Sequence, residues 1–185
     1  MPDPFITEQD VVDMLGRGSS SDPGMTIAVD AACDMVRTFT EQTINAVGGD
    51  VFITNGHGGG ALLLPELPAT QVQEVKVNGT TITDYVLTDN GILLRTAGTA
   101  DSDVYQGGTW PEGVQNVRVT YSHGYAGTAV PRDLKMVALA IAERLVVQGP
   151  AVSEQVGAAR VTYAGPATDL TSTEKLILSK YRQVR

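Results

Sequence analysis

His57-Gly58-Gly59-Gly60 is the most suggestive chemical motif in the sequence. Some lipases and esterases use this pattern in an oxyanion hole, because glycines let backbone N–H groups approach a developing oxyanion. Such enzymes also need a serine in a Gly-x-Ser-x-Gly turn, and no serine here is flanked by glycines at that spacing. We therefore prefer a flexible glycine loop, and keep a small hydrolase built around His57 as an alternative.

The other residues with chemical potential are scattered. His123 lies far from His57 in the chain, so a metal site between them would depend wholly on folding. Asp101 and Asp103 lack the ligand order of a calcium loop, and we interpret them as solvated loop charges. Cys33, the only cysteine, falls in an apolar helical pattern and is predicted to be a buried thiol. We predict no catalytic residue, metal or cofactor.

Composition excludes further classes of function. The 185 residues carry a formal charge of −8, and no two Lys or Arg residues are adjacent, which argues against sequence-specific binding of nucleic acid. As a hypothesis, an acidic chain is compatible with a channel through which DNA slides, because weak repulsion between its carboxylates and the DNA phosphates prevents tight binding. The sequence shows neither a secretory leader nor an apolar run of membrane-spanning length, so we expect assembly in the cytoplasm and no membrane partner.

Two helices are predicted in the first 48 residues. Thr7 is a candidate N-cap for a short helix over residues 6–15, with acidic residues in its first turn. From Met25, apolar residues recur every three or four positions, as in an amphipathic helix of about five turns. Asp22-Pro23 supplies a suitable start for this second helix.

The middle of the chain has the alternating pattern of strands. Asn78-Gly79 is a strong hairpin signal, and the turn at residues 89–91 separates two further short strands. Another half-buried strand is predicted over residues 117–121, which completes a β-meander. Residues 96–113 form a long polar loop with Tyr105 and Trp110 as its only large apolar groups, and we predict that it is an interaction surface.

The last third returns to helices. The helix that begins at Pro131 is apolar on nearly all sides, so we expect it to be buried within the domain or between subunits. Residues 170–174, with Thr171 and Glu174, supply an N-cap and an acidic first turn. The final helix over residues 175–184 is amphipathic and basic, as expected of a detachable docking segment. The predicted fold is α+β, with helices packed on a small antiparallel meander. We assign residues 1–150 to a core domain and 151–185 to a C-terminal extension with the docking helix.

Several stretches resemble the head–tail connector (adaptor) proteins of long-tailed bacteriophages. Residues 62–65 leading into 72–79, and then 85–87, are similar to the strand and hairpin core of that family. Residues 117–125 followed by 130–134 are similar to its final strand and the helix that follows. The segment from Leu170 to Arg182 is also similar to such proteins. The resemblance covers most of the chain after residue 60 and, more loosely, the helix from Met25.

The resemblance implies a structural virion protein in the head–tail neck, without catalysis. It implies a homo-oligomeric ring, twelve-fold, docked on the portal protein and continuing the DNA channel towards a tail-side stopper or terminator protein. As a hypothesis, the portal interface consists of Leu176, Ile177, Lys180, Tyr181 and Arg182. Inter-subunit or tail-side contacts are assigned to His57, Gly58, Tyr105 and Trp110. Open alternatives are a tail-side stopper or head–tail completion protein and, from another class, a solitary binding module.

Overall fold

Local capping signals determine where the first and last helices begin. The computed structural model describes residues 3–16, 23–97, 107–148, 153–156, 159–162 and 169–182. Helix α1 (Glu8–Leu15) is capped by Thr7, whose side chain accepts from the amide of Asp10 while Asp10 accepts from the amide of Thr7. Helix α4 (Ser172–Leu178) has the same reciprocal cap between Thr171 and Glu174. Both predicted caps are confirmed, but the last helix begins at Ser172 and ends at Leu178, not at the predicted residue 184.

The two long helices follow the predicted apolar periodicity. They are α2 (Pro23–Thr40) and α3 (Arg132–Gln148), and they pack against each other. Helix α1 and helix α4 each pack against both of them. In the described part of the chain, every helix is too short or too polar to cross a bilayer.

Helix α3 is not enclosed on all sides within one copy, so burial within the domain, one of the two predicted possibilities, covers only part of it. It buries one face, which consists of Leu134, Val137, Ala138, Ile141 and Ala142. Its opposite face leaves Met136, Val146 and Val147 exposed. Within one copy of the chain, the apolar surface of this helix therefore exceeds what its neighbours cover.

Nine strands are described, in three antiparallel sheets. The first sheet has the order β1-β7-β3-β4, the second β2-β6-β5, and β8 pairs with β9. Their bounds are β1 (Val47–Gly56), β2 (Ala61–Leu63), β3 (Ala69–Val77), β4 (Thr80–Ile82), β5 (Tyr85–Leu87), β6 (Ile92–Arg95), β7 (Gly113–His123), β8 (Ser153–Val156) and β9 (Ala159–Thr162). Single 3-10 turns occupy Gly127–Ala129 and Ser179–Tyr181.

The hairpins are confirmed, whereas the meander is not. Asn78 and Gly79 both have positive φ and join β3 to β4, as the dipeptide predicts. The turn after β5 likewise joins it to β6. However, β7 lies between β1 and β3, where Val119 pairs with Phe52 on one side and Val75 on the other. The class is α+β, but long-range pairing replaces the predicted sequential strand order.

The chain divides into two compact units at places other than residue 150. The helical unit comprises Met1–Gln42 and Ala129–Arg185, and the sheet unit comprises Thr43–Thr128. The predicted C-terminal extension therefore belongs to the helical unit together with α1 and α2. In the sheet unit, one apolar cluster joins residues of both larger sheets: Leu62, Leu64, Val75, Val77, Leu93, Trp110, Val117, Val119 and Tyr121.

Candidate interaction surfaces

The glycine loop after β1 is tied down through its backbone. The amide of Gly58 donates to the carbonyl of Trp110 at 2.8 Å, and the amide of Trp110 donates to the carbonyl of Gly59 at 2.8 Å. A backbone N–H that the hydrolase alternative would use for an oxyanion is therefore already hydrogen-bonded. The side chain of His57 is exposed. The loop thus presents His57 on a fixed turn at the surface of the sheet unit.

Trp110 is a core residue and is not available as a surface contact. Only 1% of it is exposed, and its indole N–H donates to the carbonyl of Leu93 at 3.3 Å. The guanidinium of Arg95 lies over the ring, 5.7 Å from its centroid. The prediction that Trp110 contacts a neighbouring subunit or the tail is corrected, because the loop folds this ring inward. Tyr105, Asp101 and Asp103 lie outside the described residues.

His123, the candidate metal ligand, and Cys33, the candidate nucleophile, are both buried within the fold. His123 is buried at the end of β7, and its Nε2 lies 3.3 Å from Oδ2 of Asp50. No cluster of three or more potential metal ligands occurs among the described residues. Cys33 is fully buried in α2, and burial raises the pKa of its thiol. A raised pKa keeps the thiol protonated and unreactive.

The C-terminal helix is attached to α3 by a partly buried ion pair, in which Glu174 is buried and Arg144 is half-buried. Arg144 donates from Nη2 to Oε2 of Glu174 at 3.0 Å and to the carbonyl of Asp169 at 3.2 Å. The same Glu174 oxygen accepts from the amide of Thr171 at 2.8 Å. Burial opposes the charge on Glu174, but the hydrogen bonds from Arg144 and Thr171 and the charge of Arg144 outweigh it, so the pKa of Glu174 is lowered.

Two further contacts hold the end of this segment. Leu178 is fully buried, and the hydroxyl of Tyr181 donates to Oδ1 of Asp133 at 2.6 Å. Arg182 pairs with Glu41 at 2.7 Å, although both side chains are partly exposed. The segment is therefore docked on its own helical unit, and the prediction that it is detachable is corrected. Sequence spacing gave no sign of this, because the partners are 25 or more positions apart.

The outer face of α4 nevertheless remains open. Leu176 points away from the face that carries Glu174 and Leu178, and 70% of it is exposed. Lys175 and Lys180 are exposed beside it, whereas Ile177 and Tyr181 are half-buried. Of the residues that we predicted for portal contact, Leu176 and Lys180 thus form one outward patch. Tyr181 holds the segment on α3 through its bond to Asp133, and Arg182 lies at the edge of a groove.

That groove lies between α2 and the C-terminal segment, and the sequence did not indicate it. Its volume is about 480 Å³. It is lined by Ala31, Asp34, Met35, Thr38, Phe39, Glu41, Leu170 and Arg182. Its floor is apolar and its rim is charged, which is typical of a surface that receives part of another protein. The apolar pattern of α2 suggested that Phe39 faces the core, but it gave no sign that Leu170 lies nearby.

Comparisons with known proteins agree on one architecture. The model of the head completion protein family matches residues 4–184. Among proteins with curated functions, none matches this chain significantly.

Three solved structures share the fold. One is the neck of an empty gene transfer agent (GTA) particle computed with C6 symmetry, with TM-score 0.59, 15% identity, and coverage of 98% of this chain and 91% of that one. Another is the neck of a native GTA particle computed with C12 symmetry, with TM-score 0.55, 16% identity, and coverage of 96% and 88%. The third is a chain from the virion of a native gene transfer agent particle, with TM-score 0.59, 14% identity, and coverage of 98% of this chain and 91% of that one.

At these identities the structural likeness concerns the fold, whereas the family match spans nearly the whole sequence. The family match confirms the resemblance to proteins that join head and tail, and it supports a structural role for this chain. This chain belongs to the head completion protein family.

Proposed function

We propose that this protein forms a homo-oligomeric ring of twelve copies that docks on the portal and continues the DNA channel towards the tail. The family match and the fold shared with neck proteins support a multimeric neck component. The number twelve rests on the C12 symmetry used for one of those necks. Apolar surface that one copy leaves uncovered, on α3 and α4, fits a subunit that is completed by neighbours.

The observation that carries portal docking is the patch of Leu176 and Lys175 on α4 with Lys180 on the 3-10 turn that follows it. An exposed leucine beside two cations is suited to an acidic, apolar groove on a partner. Because Glu174, Leu178 and Tyr181 fix the opposite face of the segment, the patch is presented rigidly. Docking then costs little conformational entropy. Arg182 and the half-buried Ile177 lie at the margins of this contact.

The sheet unit faces the tail side or a neighbouring copy in this proposal. The turn at His57 and Gly58 is exposed and fixed by backbone hydrogen bonds, so it suits contact with a stopper or terminator protein. The net charge of −8 suits a wall that DNA passes without being gripped. The proposal assigns no catalysis to the chain.

Substitution of Leu176 tests portal docking. Because Leu176 is largely exposed, Leu176→Asp should change the free energy of unfolding by less than about 0.5 kcal/mol. We expect it to reduce incorporation into particles at least tenfold, as a charge placed in an apolar contact costs about 1.4 kcal/mol or more. Incorporation is measured by quantitative mass spectrometry of purified particles, and melting temperature checks the fold.

Val51→Asp is the matched control, since Val51 is an exposed apolar residue of β1 in the sheet unit, about 16 Å along the strand from Gly56 and thus away from the turn at His57. It introduces the same charge far along the chain from α4 and should be incorporated normally. Normal incorporation of Leu176→Asp would contradict portal docking through α4. Tyr181 is left intact, because its bond to Asp133 makes any substitution there a test of folding as well.

A further inference from the structure

We propose that adjacent copies pack head to tail by inserting an apolar ridge of α3, centred on Met136 and Ala140, into the groove beside α2. This inference rests on the ring of the proposed function and names the contact that builds it. A closed ring needs two different, complementary surfaces on each chain. The helical unit carries one concave and one convex apolar surface, and both are open.

The ridge is a single row on α3. Arg132, Met136, Ala140, Glu143 and Val147 recur at intervals of three or four residues, so they share one side of the helix. Met136 is 57% exposed and Val147 is also exposed, while Ala140 and Glu143 are half-buried. No ion pair is found for Arg132, Lys135 or Glu143 in the described part of the chain. Small and flexible apolar groups between free charges are suited to enter a helical groove.

The groove supplies the complementary charges in the matching order. Asp30 and Asp34 lie near its beginning on α2, where Asp34 is also paired with Arg37. Glu41 and Arg182 lie at its other end and pair with each other. If α3 of one copy runs parallel to α2 of the next, Arg132 and Lys135 meet the two aspartates. Glu143 then meets Arg182.

The spacing of these charges agrees with that alignment. Lys135 and Glu143 are about 12 Å apart along α3, and Asp34 is about 9 Å from Thr40, the last residue of α2, which Glu41 follows. Glu143 therefore lies beside the Glu41–Arg182 pair, whose two charges cancel. Ala140 then falls opposite Thr38, in the middle of the groove. The opposite alignment would place Glu143 beside the aspartates, and like charges at an interface are costly. The charge order therefore favours a second copy of this chain as the occupant.

A pair of engineered cysteines tests the contact. Thr38→Cys and Ala140→Cys are combined in one chain, incorporated into particles, and treated with a short bismaleimide before denaturing electrophoresis. We expect a ladder of dimers, trimers and higher multiples, because each copy links to two neighbours. The single variants should give no ladder. Cys33 is fully buried and does not contribute. Thr38→Cys with Gln9→Cys, which places the second thiol on the exposed side of α1, is the matched control.

Each other result overturns the inference. Dimers alone would indicate a two-fold contact. A product between this chain and a different protein would assign the groove to that protein. An absence of links, in particles that contain the chain, would show that the two surfaces do not meet while leaving the proposed ring in place. Particles that lack the wild-type chain would instead overturn the proposed function itself.

If the double-cysteine chain folds but is not incorporated into particles, substitutions that exchange the charges of two facing residues test the contact instead. Asp30→Lys and Arg132→Glu, which exchange the charges of one facing pair, should each reduce incorporation at least about fivefold, because each places like charges together. The two substitutions combined in one chain should restore incorporation to within about twofold, because the attraction is re-formed between copies. Failure of the combined variant to restore incorporation would overturn the inference.

Discussion

The sheet unit and the helical unit differ in how they cover their apolar residues. The sheet unit surrounds Trp110 and Tyr121 with side chains from both larger sheets, and burial raises the pKa of Tyr121 to about 12. The helical unit buries one face of each long helix but leaves Met136 and Leu176 exposed. The sheet unit also exposes Leu63 and Val114, so the difference is that its core is closed between two sheets, whereas each long helix buries one face and its other face is a surface that the proposed ring would cover.

Removal of the Trp110 ring should have the largest effect on stability. Trp110→Ala should reduce the free energy of unfolding of the sheet unit by about 4 kcal/mol, because it opens a large cavity in the cluster between the sheets. Hydrogen exchange of amides in β6 and β7 measures the loss. Val114→Ala, on an exposed side chain of the same unit, should change it by less than about 0.5 kcal/mol. A loss under about 1 kcal/mol for Trp110→Ala would contradict the view that this unit closes around the ring.

The ion pair between Arg144 and Glu174 should give the next largest effect, and it should depend on pH. Because the pKa of Glu174 is lowered in the folded chain, its contribution to stability is full above the ordinary pKa of glutamate. It is lost as the pH falls through the lowered pKa, which lies below the ordinary value for glutamate. Glu174→Gln should cost about 2 kcal/mol at neutral pH and much less at a pH below the lowered pKa.

The control for that prediction removes the carboxylate of Glu143, for which no ion pair is found among the residues that the structure describes. Glu143→Gln, on α3, should change stability little at either pH. Chemical denaturation followed by far-ultraviolet circular dichroism reports the helices. Trp110, the only tryptophan, provides a separate fluorescence signal from the sheet unit. An equal cost of Glu174→Gln at both pH values would contradict the assignment of charge to this carboxylate.

Substitution on the α3 ridge should have the smallest effect on the isolated chain. Met136→Gln keeps the length of the side chain and removes its apolar end, so the free energy of unfolding should change by less than about 0.5 kcal/mol. A loss above about 2 kcal/mol would show that Met136 is packed within one copy. The melting temperature, compared with that of Val137→Gln on the buried face, measures the difference.

Sequence patterns predicted the elements whose causes are local. The turn at Asn78-Gly79 and the caps at Thr7 and Thr171 each depend on residues at most three positions apart, and the structure confirms all of them. The α+β class followed from the same signals. The resemblance to connector proteins rested on the order of such elements, and the family match confirms it.

Contacts between distant residues were not predictable in this way. The position of β7 between β1 and β3 depends on which strands bury apolar faces together, which alternation alone does not specify. Trp110 lies in a polar loop, so its composition suggested exposure, but the loop folds back onto β6. The attachment of α4 joins Glu174 to Arg144 and Tyr181 to Asp133, and no spacing rule connects them. The groove beside α2 was not predictable for the same reason, because it joins residues of α2 to Leu170 and Arg182, which are far away in the sequence.

Electron microscopy of purified particles, with the neck reconstructed at side-chain resolution, tests the central claim most directly. The account predicts a ring of this chain between portal and tail, with Leu176 of every copy against the portal. It would be contradicted by a neck that lacks the chain, or by a ring in which α4 faces away from the portal and Leu176 contacts solvent.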